Sequence, residues 1–203
     1  MIKEIWCMPH SHLDIGYTHP QPLLLELQSD YLSQALELCK QTEDYPEEAA
    51  FRWTIEANHI LRRWLKTAEK EQVALLKRYV KEGRICITAL PVHTTPNADA
   101  PEMIEMLSGL DELRDMFGTE IKTAINHDVN GQPWTLGQLL LDSGVDFYLT
   151  GINIHFGGIP FQRPCPFYWE MSDGRQLLSF LGEHYSLFSQ FMFTQEHRTD
   201  RMA

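Results

Sequence analysis

Ile121-Lys122-Thr123-Ala124-Ile125-Asn126-His127-Asp128-Val129-Asn130-Gly131 decides the fold. Its first half, as far as Asn126, has the short apolar character of a buried strand. Its second half is a polar cluster delivered where that strand ends. Residues 134–143 then follow a helical pattern closed by Gly144, and residues 145–149 read as the next strand. Strand, helix and strand in succession call for parallel pairing.

The same alternation extends in both directions. Residues 2–8 read as a short buried strand running into Pro9-His10-Ser11-His12-Leu13-Asp14-Ile15-Gly16-Tyr17. Leu24, Leu27, Tyr31, Ala35 and Leu38 recur at helical spacing. Residues 51–55 form a second strand candidate with Glu56 at its end, followed by helical patterns over 58–66 and 69–81, the latter closed by Gly83. Residues 84–90 are a third strand leading into a loop that carries His93. Pro101 stands where a helix begins, ahead of Met103, Met106, Leu107, Leu110 and Leu113. Near the end, residues 167–171 and 176–181 flank Ser172-Asp173-Gly174-Arg175, a hairpin signal. The fold class is α/β with a largely parallel sheet.

Composition excludes several functions. The chain has 203 residues, 43% of them hydrophobic, which is ample for a buried core. Its net charge of −11 opposes non-specific binding to nucleic acid, because nothing here neutralises a row of phosphates. No apolar stretch reaches the ~20 residues of a membrane span, and residues 1–6 lack the apolar region of a signal peptide. Cys7, Cys39, Cys86 and Cys165 form no C-x-x-C pair and read as free, buried thiols in a reducing, cytoplasmic setting.

Polar residues rich in His and Asp follow the first, third and fourth strands, and the C-terminal ends of parallel strands are where α/β proteins build sites. His10, His12 and Asp14 alternate along extended chain, so they project to the same side. Imidazole nitrogen with carboxylate oxygen is a good donor set for Zn²⁺. His12 and Asp14 supply two ligands, and Asp128 is the natural third. A carboxylate there can also act as a nucleophile toward a sugar's anomeric carbon. The bland alternative makes Asp14 a helix cap and Asp128 part of an Asx-turn. His93 and His155, on loops after strands, line a sugar pocket or simply bond within their loops. Tyr185 is a further candidate for substrate contact, Glu56 reads as a partner that supports the site, and Trp53 and Trp64 read as core.

The run from Pro9 to Tyr17 resembles the opening signature of family 38 glycoside hydrolases, the retaining α-mannosidases. Phe51-Arg52-Trp53-Thr54-Ile55-Glu56, Leu61-Arg62-Arg63-Trp64, Gly83-Arg84 and Asn126-His127-Asp128 continue the similarity in order and spacing. The resemblance implies a distorted seven-stranded α/β barrel of the glycoside hydrolase/deacetylase type, of which residues 1–203 are the N-terminal part. It implies a zinc ion held by His12, Asp14 and Asp128, with Asp128 also the catalytic nucleophile on an α-mannoside. Tyr17 falls where the family usually carries a tryptophan against the sugar ring, and tyrosine stacks with a smaller face. Val129-Asn130-Gly131 replaces the family's more common proline-phenylalanine-glycine, which marks a divergent, microbial-type branch. The family's general acid and last zinc histidine are expected beyond residue 203, so the chain alone is expected to turn over little substrate. Two other readings stand beside this one: a metal-dependent, amidohydrolase-like hydrolase, and a non-catalytic zinc- or sugar-binding remnant.

Overall fold

The computed structural model of the chain describes residues 7–95, 97–153 and 165–182. Most of the strand expected over residues 2–8 lies outside them. The segment after it runs extended beside residues 53–55: Thr54 N–H donates to the Pro9 carbonyl at 2.8 Å, and His10 bridges Thr54 in parallel.

Helices and strands then alternate as the sequence predicts. Helix α1 is Gln21–Gln41, β1 Trp53–Ile55, α2 Asn58–Trp64, α3 Lys70–Lys81 and β2 Ile85–Ile87. Helix α4 is Ala100–Leu107, α5 Leu110–Phe117, β3 Thr123–His127, α6 Trp134–Asp142 and β4 Phe147–Gly151. A hairpin of β5 (Cys165–Glu170) and β6 (Gln176–Gly182) completes the described chain. The helix starts are chemically specified. Glu69 and Gln72 exchange bonds as a capping box on α3, as do Asp99 and Glu102 on α4, whose first turn holds Pro101.

One expected helix is two. The apolar pattern from Met103 to Leu113 runs on without a gap, yet the chain turns at Ser108-Gly109 and restarts as α5. Gly109 takes φ +68°, a conformation a Cβ makes costly, and its carbonyl accepts from Arg62 Nη2 at 2.8 Å. A Cβ there would also stand 3.0 Å from the Arg62 guanidinium. The break ties the start of α5 to Arg62 of α2, with Leu110 and Leu113 still turned into the core.

The core lies under β1 and β2. Leu61 and Trp64 of α2, Leu76 and Tyr79 of α3, and Leu113 and Phe117 of α5 are all buried there, each such side chain contributing roughly 1.5–3 kcal/mol through removal from water. Trp64 is core as expected, its indole N–H donating to Ser33 Oγ at 2.9 Å, while Trp53 is only half-buried against it. Met103 is buried and Met106 packs beside it.

The strands form two sheets. β1 pairs in parallel with β2, and a four-stranded sheet has the order β3-β4-β6-β5, parallel except for β5 against β6. The α/β class and the hairpin therefore hold. The seven-stranded barrel is not formed by the six described strands, because laddering lapses after Ile87. Ala89 N–H donates to the Thr123 carbonyl at 2.9 Å, but no ladder continues from it among the described residues. The cysteines also correct the reading: all four are free, but only Cys39 is buried, Cys165 is half-buried, and Cys7 and Cys86 are exposed.

Candidate active site

Four chain segments deliver polar side chains to the same place. His10, His12 and Asp14 leave the extended segment beside β1, and Glu56 comes directly after β1. His93 comes from the loop after β2, and His127 and Asp128 from the end of β3. Thr88 Oγ1 donates to the Glu56 carbonyl at 2.6 Å, and Gln28 Nε2 donates to the His12 carbonyl at 2.8 Å. Parallel strands place all these residues at one end of the fold, which is why residues far apart in sequence converge.

The Glu56 side chain is fully buried among imidazoles. Its Oε1 lies 3.2 Å from both His12 Nδ1 and His127 Nδ1. Its Oε2 lies 3.5 Å from both His10 Nδ1 and His93 Nε2. Burial pushes the Glu56 carboxyl up, but the contacts with His10, His12, His127 and His93 outweigh it and hold the group far below the usual carboxylate range. Burial likewise pushes the His12 imidazole down, but Glu56, Asp14 and Asp128 together raise it above its ordinary value. His127 follows its burial and shifts down.

On its other side His12 faces two more carboxylates. His12 Nε2 lies 3.5 Å from Asp14 Oδ1 and 3.7 Å from Asp128 Oδ2, and the three donor atoms fall within 4.8 Å of one another. Asp128 sits at φ +60°, the one described non-glycine residue with positive φ. Aspartate tolerates that region better than most residues, and strained backbone concentrates at functional sites. The conformation is held by Asp128 N–H donating to the Gly151 carbonyl at 2.8 Å. Behind it, Asn126 is fully buried and exchanges two bonds with the Thr94 backbone, at 2.9 and 3.0 Å.

These groups line an open cleft of about 380 Å³, with His12, Asp14, His93 and Asp128 in its wall and Tyr17 at its rim. Tyr17 is 88% exposed, so its ring is available for stacking. His93 has a second task beyond lining the cleft. Its ring stacks on His12 at 4.7 Å between centroids, and its Nδ1 accepts the His127 backbone N–H at 3.1 Å. His155 and Tyr185 lie outside the described residues. Sequence reasoning grouped His10 with His12 and Asp14 without making it a ligand, assigned no role to His127 and saw Glu56 only as a supporting residue. The available signal was positional, since each stands where a parallel strand ends.

Histidines and carboxylates gathered at the C-terminal ends of parallel strands, with helices packed behind, define the class: an α/β domain with a polar side-chain cluster at its strand ends. The chain belongs to the glycosyl hydrolases family 38, whose N-terminal domain matches residues 3–202. Solved structures share the fold. An α-mannosidase from Enterococcus faecalis V583 superposes with TM-score 0.68 at 15% identity, over 86% of this chain and 19% of that one. A 4-alpha-glucanotransferase from Thermococcus litoralis gives 0.61 at 14%, over 95% of this chain and 29% of that one. Another family 38 glycosyl hydrolase from Enterococcus faecalis gives 0.59 at 13%, over 96% and 20%. The chain thus spans less than a third of each of these proteins. No curated protein matches it.

Proposed function

We propose that this chain is the N-terminal part of the catalytic barrel of a zinc-dependent, retaining glycosidase acting on α-mannosides. The observation that carries the proposal is the placement of His12 Nε2 between Asp14 Oδ1 and Asp128 Oδ2. The donor set fits Zn²⁺: ligands about 2.0–2.1 Å from a tetrahedral ion stand roughly 3.3–3.4 Å apart, close to the 3.5 and 3.7 Å separations here. When bound, the ion fixes sugar hydroxyls and favours a distorted ring, acting as a template for the substrate.

The protein's own groups carry the rest. Asp128 attacks the anomeric carbon and forms a covalent glycosyl ester as the bond to the leaving oxygen breaks. A second carboxyl group, about 5 Å away in retaining enzymes, protonates that oxygen and then activates the water that hydrolyses the ester. The family resemblance implies that this acid lies beyond residue 203. His12 and Asp14 hold the substrate end of the cleft, and the Tyr17 ring at its rim offers a stacking face for a pyranose.

The test uses the full-length protein and an aryl α-mannoside. Asp128→Asn keeps the shape of the side chain but removes the charge needed for attack, so turnover should vanish with no recovery on adding azide. Trapping with a fluorinated glycoside should label Asp128 itself. Substantial turnover by Asp128→Asn, or a label elsewhere, would overturn the assignment. Metal analysis of Asp14→Ala should show zinc lost, and full occupancy would remove Asp14 from the ligand set.

A further inference from the structure

The geometry points to Glu56 as the positioning residue that fixes the tautomer of His12 and so aims a bare ring nitrogen at Asp14 and Asp128. The inference rests on the proposed function only for the identity of the cation that Nε2 would meet.

His93 supplies the internal check. Its Nδ1 accepts the backbone N–H of His127 at 3.1 Å, so in the neutral ring that nitrogen carries no proton. The proton must sit on Nε2, the atom that lies 3.5 Å from Glu56 Oε2. An unrelated backbone contact thus leaves the ring proton of neutral His93 on the nitrogen nearest this carboxylate. The same polarity at His12 puts its proton on Nδ1, which lies 3.2 Å from Glu56 Oε1. A carboxylate offers about four acceptor positions, and His10 Nδ1 and His127 Nδ1 lie 3.5 and 3.2 Å from its two oxygens. The His12 ring has little freedom to escape, since it stacks on His93 with only 21° between planes.

Glu56 accordingly acts on the cleft without touching it. With Nδ1 protonated, His12 Nε2 presents a lone pair between two carboxylate oxygens, an arrangement that attracts a cation rather than a hydrogen-bond acceptor. Removing such an outer partner of a metal-binding histidine typically weakens metal affinity 10–100-fold.

Long-range ¹H–¹⁵N correlation spectra of the metal-free, ¹⁵N-labelled chain at mildly alkaline pH read the tautomers directly. His12 should carry its proton on Nδ1 and His93 on Nε2. A His12 ring protonated on Nε2 would overturn the proposal whatever the protein binds. So would a His127 ring bare at Nδ1, which instead marks a cation site shared by His10, Glu56 and His127. Glu56→Gln leaves a single oxygen acceptor, so at least one ring should change tautomer, and Zn²⁺ should bind about 10–100-fold more weakly. Unchanged affinity in a folded Glu56→Gln protein would overturn the positioning role. If that variant fails to fold, the tautomers of the unmodified chain decide alone. The expected tautomers without any zinc binding would support the positioning of His12 and remove the zinc reading.

Discussion

The β1–β2 pair and the four-stranded sheet keep their strands together by different means. β1 and β2 share three register pairs, whereas β3–β4 and β4–β6 share five each and β5–β6 shares six. In the larger sheet the backbone ladder does the joining. Around β1 and β2, side chains add to a few backbone bonds beyond the ladder. Asn58 Nδ2 donates to the carbonyls of Thr88 and Ala89, at 3.1 and 2.8 Å, where the ladder has lapsed. Asn126 pairs with both backbone groups of Thr94, imitating a strand neighbour with an amide. Short strands leave more chain at their ends, and those ends carry Glu56, His93 and the residues around them. Buried amides supply the bonds that a longer ladder would have made.

The sharpest way to break this contrast is Asn58→Ala. Two buried carbonyls lose a donor and Arg62 Nε loses its acceptor at 3.1 Å. Urea unfolding should show a loss of roughly 2–4 kcal/mol. In the larger sheet, Ser179→Ala removes a buried hydroxyl that donates to the Leu177 carbonyl within its own strand, and the ladder stays. Its cost should stay below about 1 kcal/mol, and equal losses in the two variants would erase the distinction.

Gly137→Ala gives a smaller effect than Asn58→Ala and probes how α6 seats on the sheet. A Cβ there would stand 2.6 Å from the Met171 terminal methyl and 3.3 Å from Trp169. Methionine can give way, and alanine favours the helix by about 0.5–1 kcal/mol, so a net loss near 1 kcal/mol is expected against the strain of overpacking. A rise in the unfolding midpoint would mean that helix and sheet are more loosely joined than this packing implies. At the bottom of the scale is Arg175→Ala, which removes exposed ion pairs with Asp142 and Asp173 at the hairpin turn. Exposed pairs are screened and costly to order, so neither the midpoint nor its salt dependence should move measurably.

Local pattern carried much of this molecule. Spacing of apolar residues marked α1, α3 and α6, Gly83 and Gly144 closed the second and third of these with positive φ, and Asp-Gly marked the β5–β6 turn. His12, Asp14 and Asp128 were legible because an alternating His/Asp run and a strand-end aspartate are unusual company for a plain loop. The break between α4 and α5 was not legible, since Gly109 lies inside an unbroken apolar repeat and its carbonyl is bound by Arg62, far away in sequence.

The sequence by itself determined the alternation of helices and strands and the histidines and carboxylates placed at the strand ends. These properties come from periodicity and side-chain type, which neighbours along the chain already express. Only the tertiary structure decided that Glu56 lies at the centre of four imidazoles and that His12 faces carboxylates on both sides. Those relations join segments before β1, after β1, after β2 and at the end of β3, and the distances among them are set by strand pairing and burial rather than by any local rule.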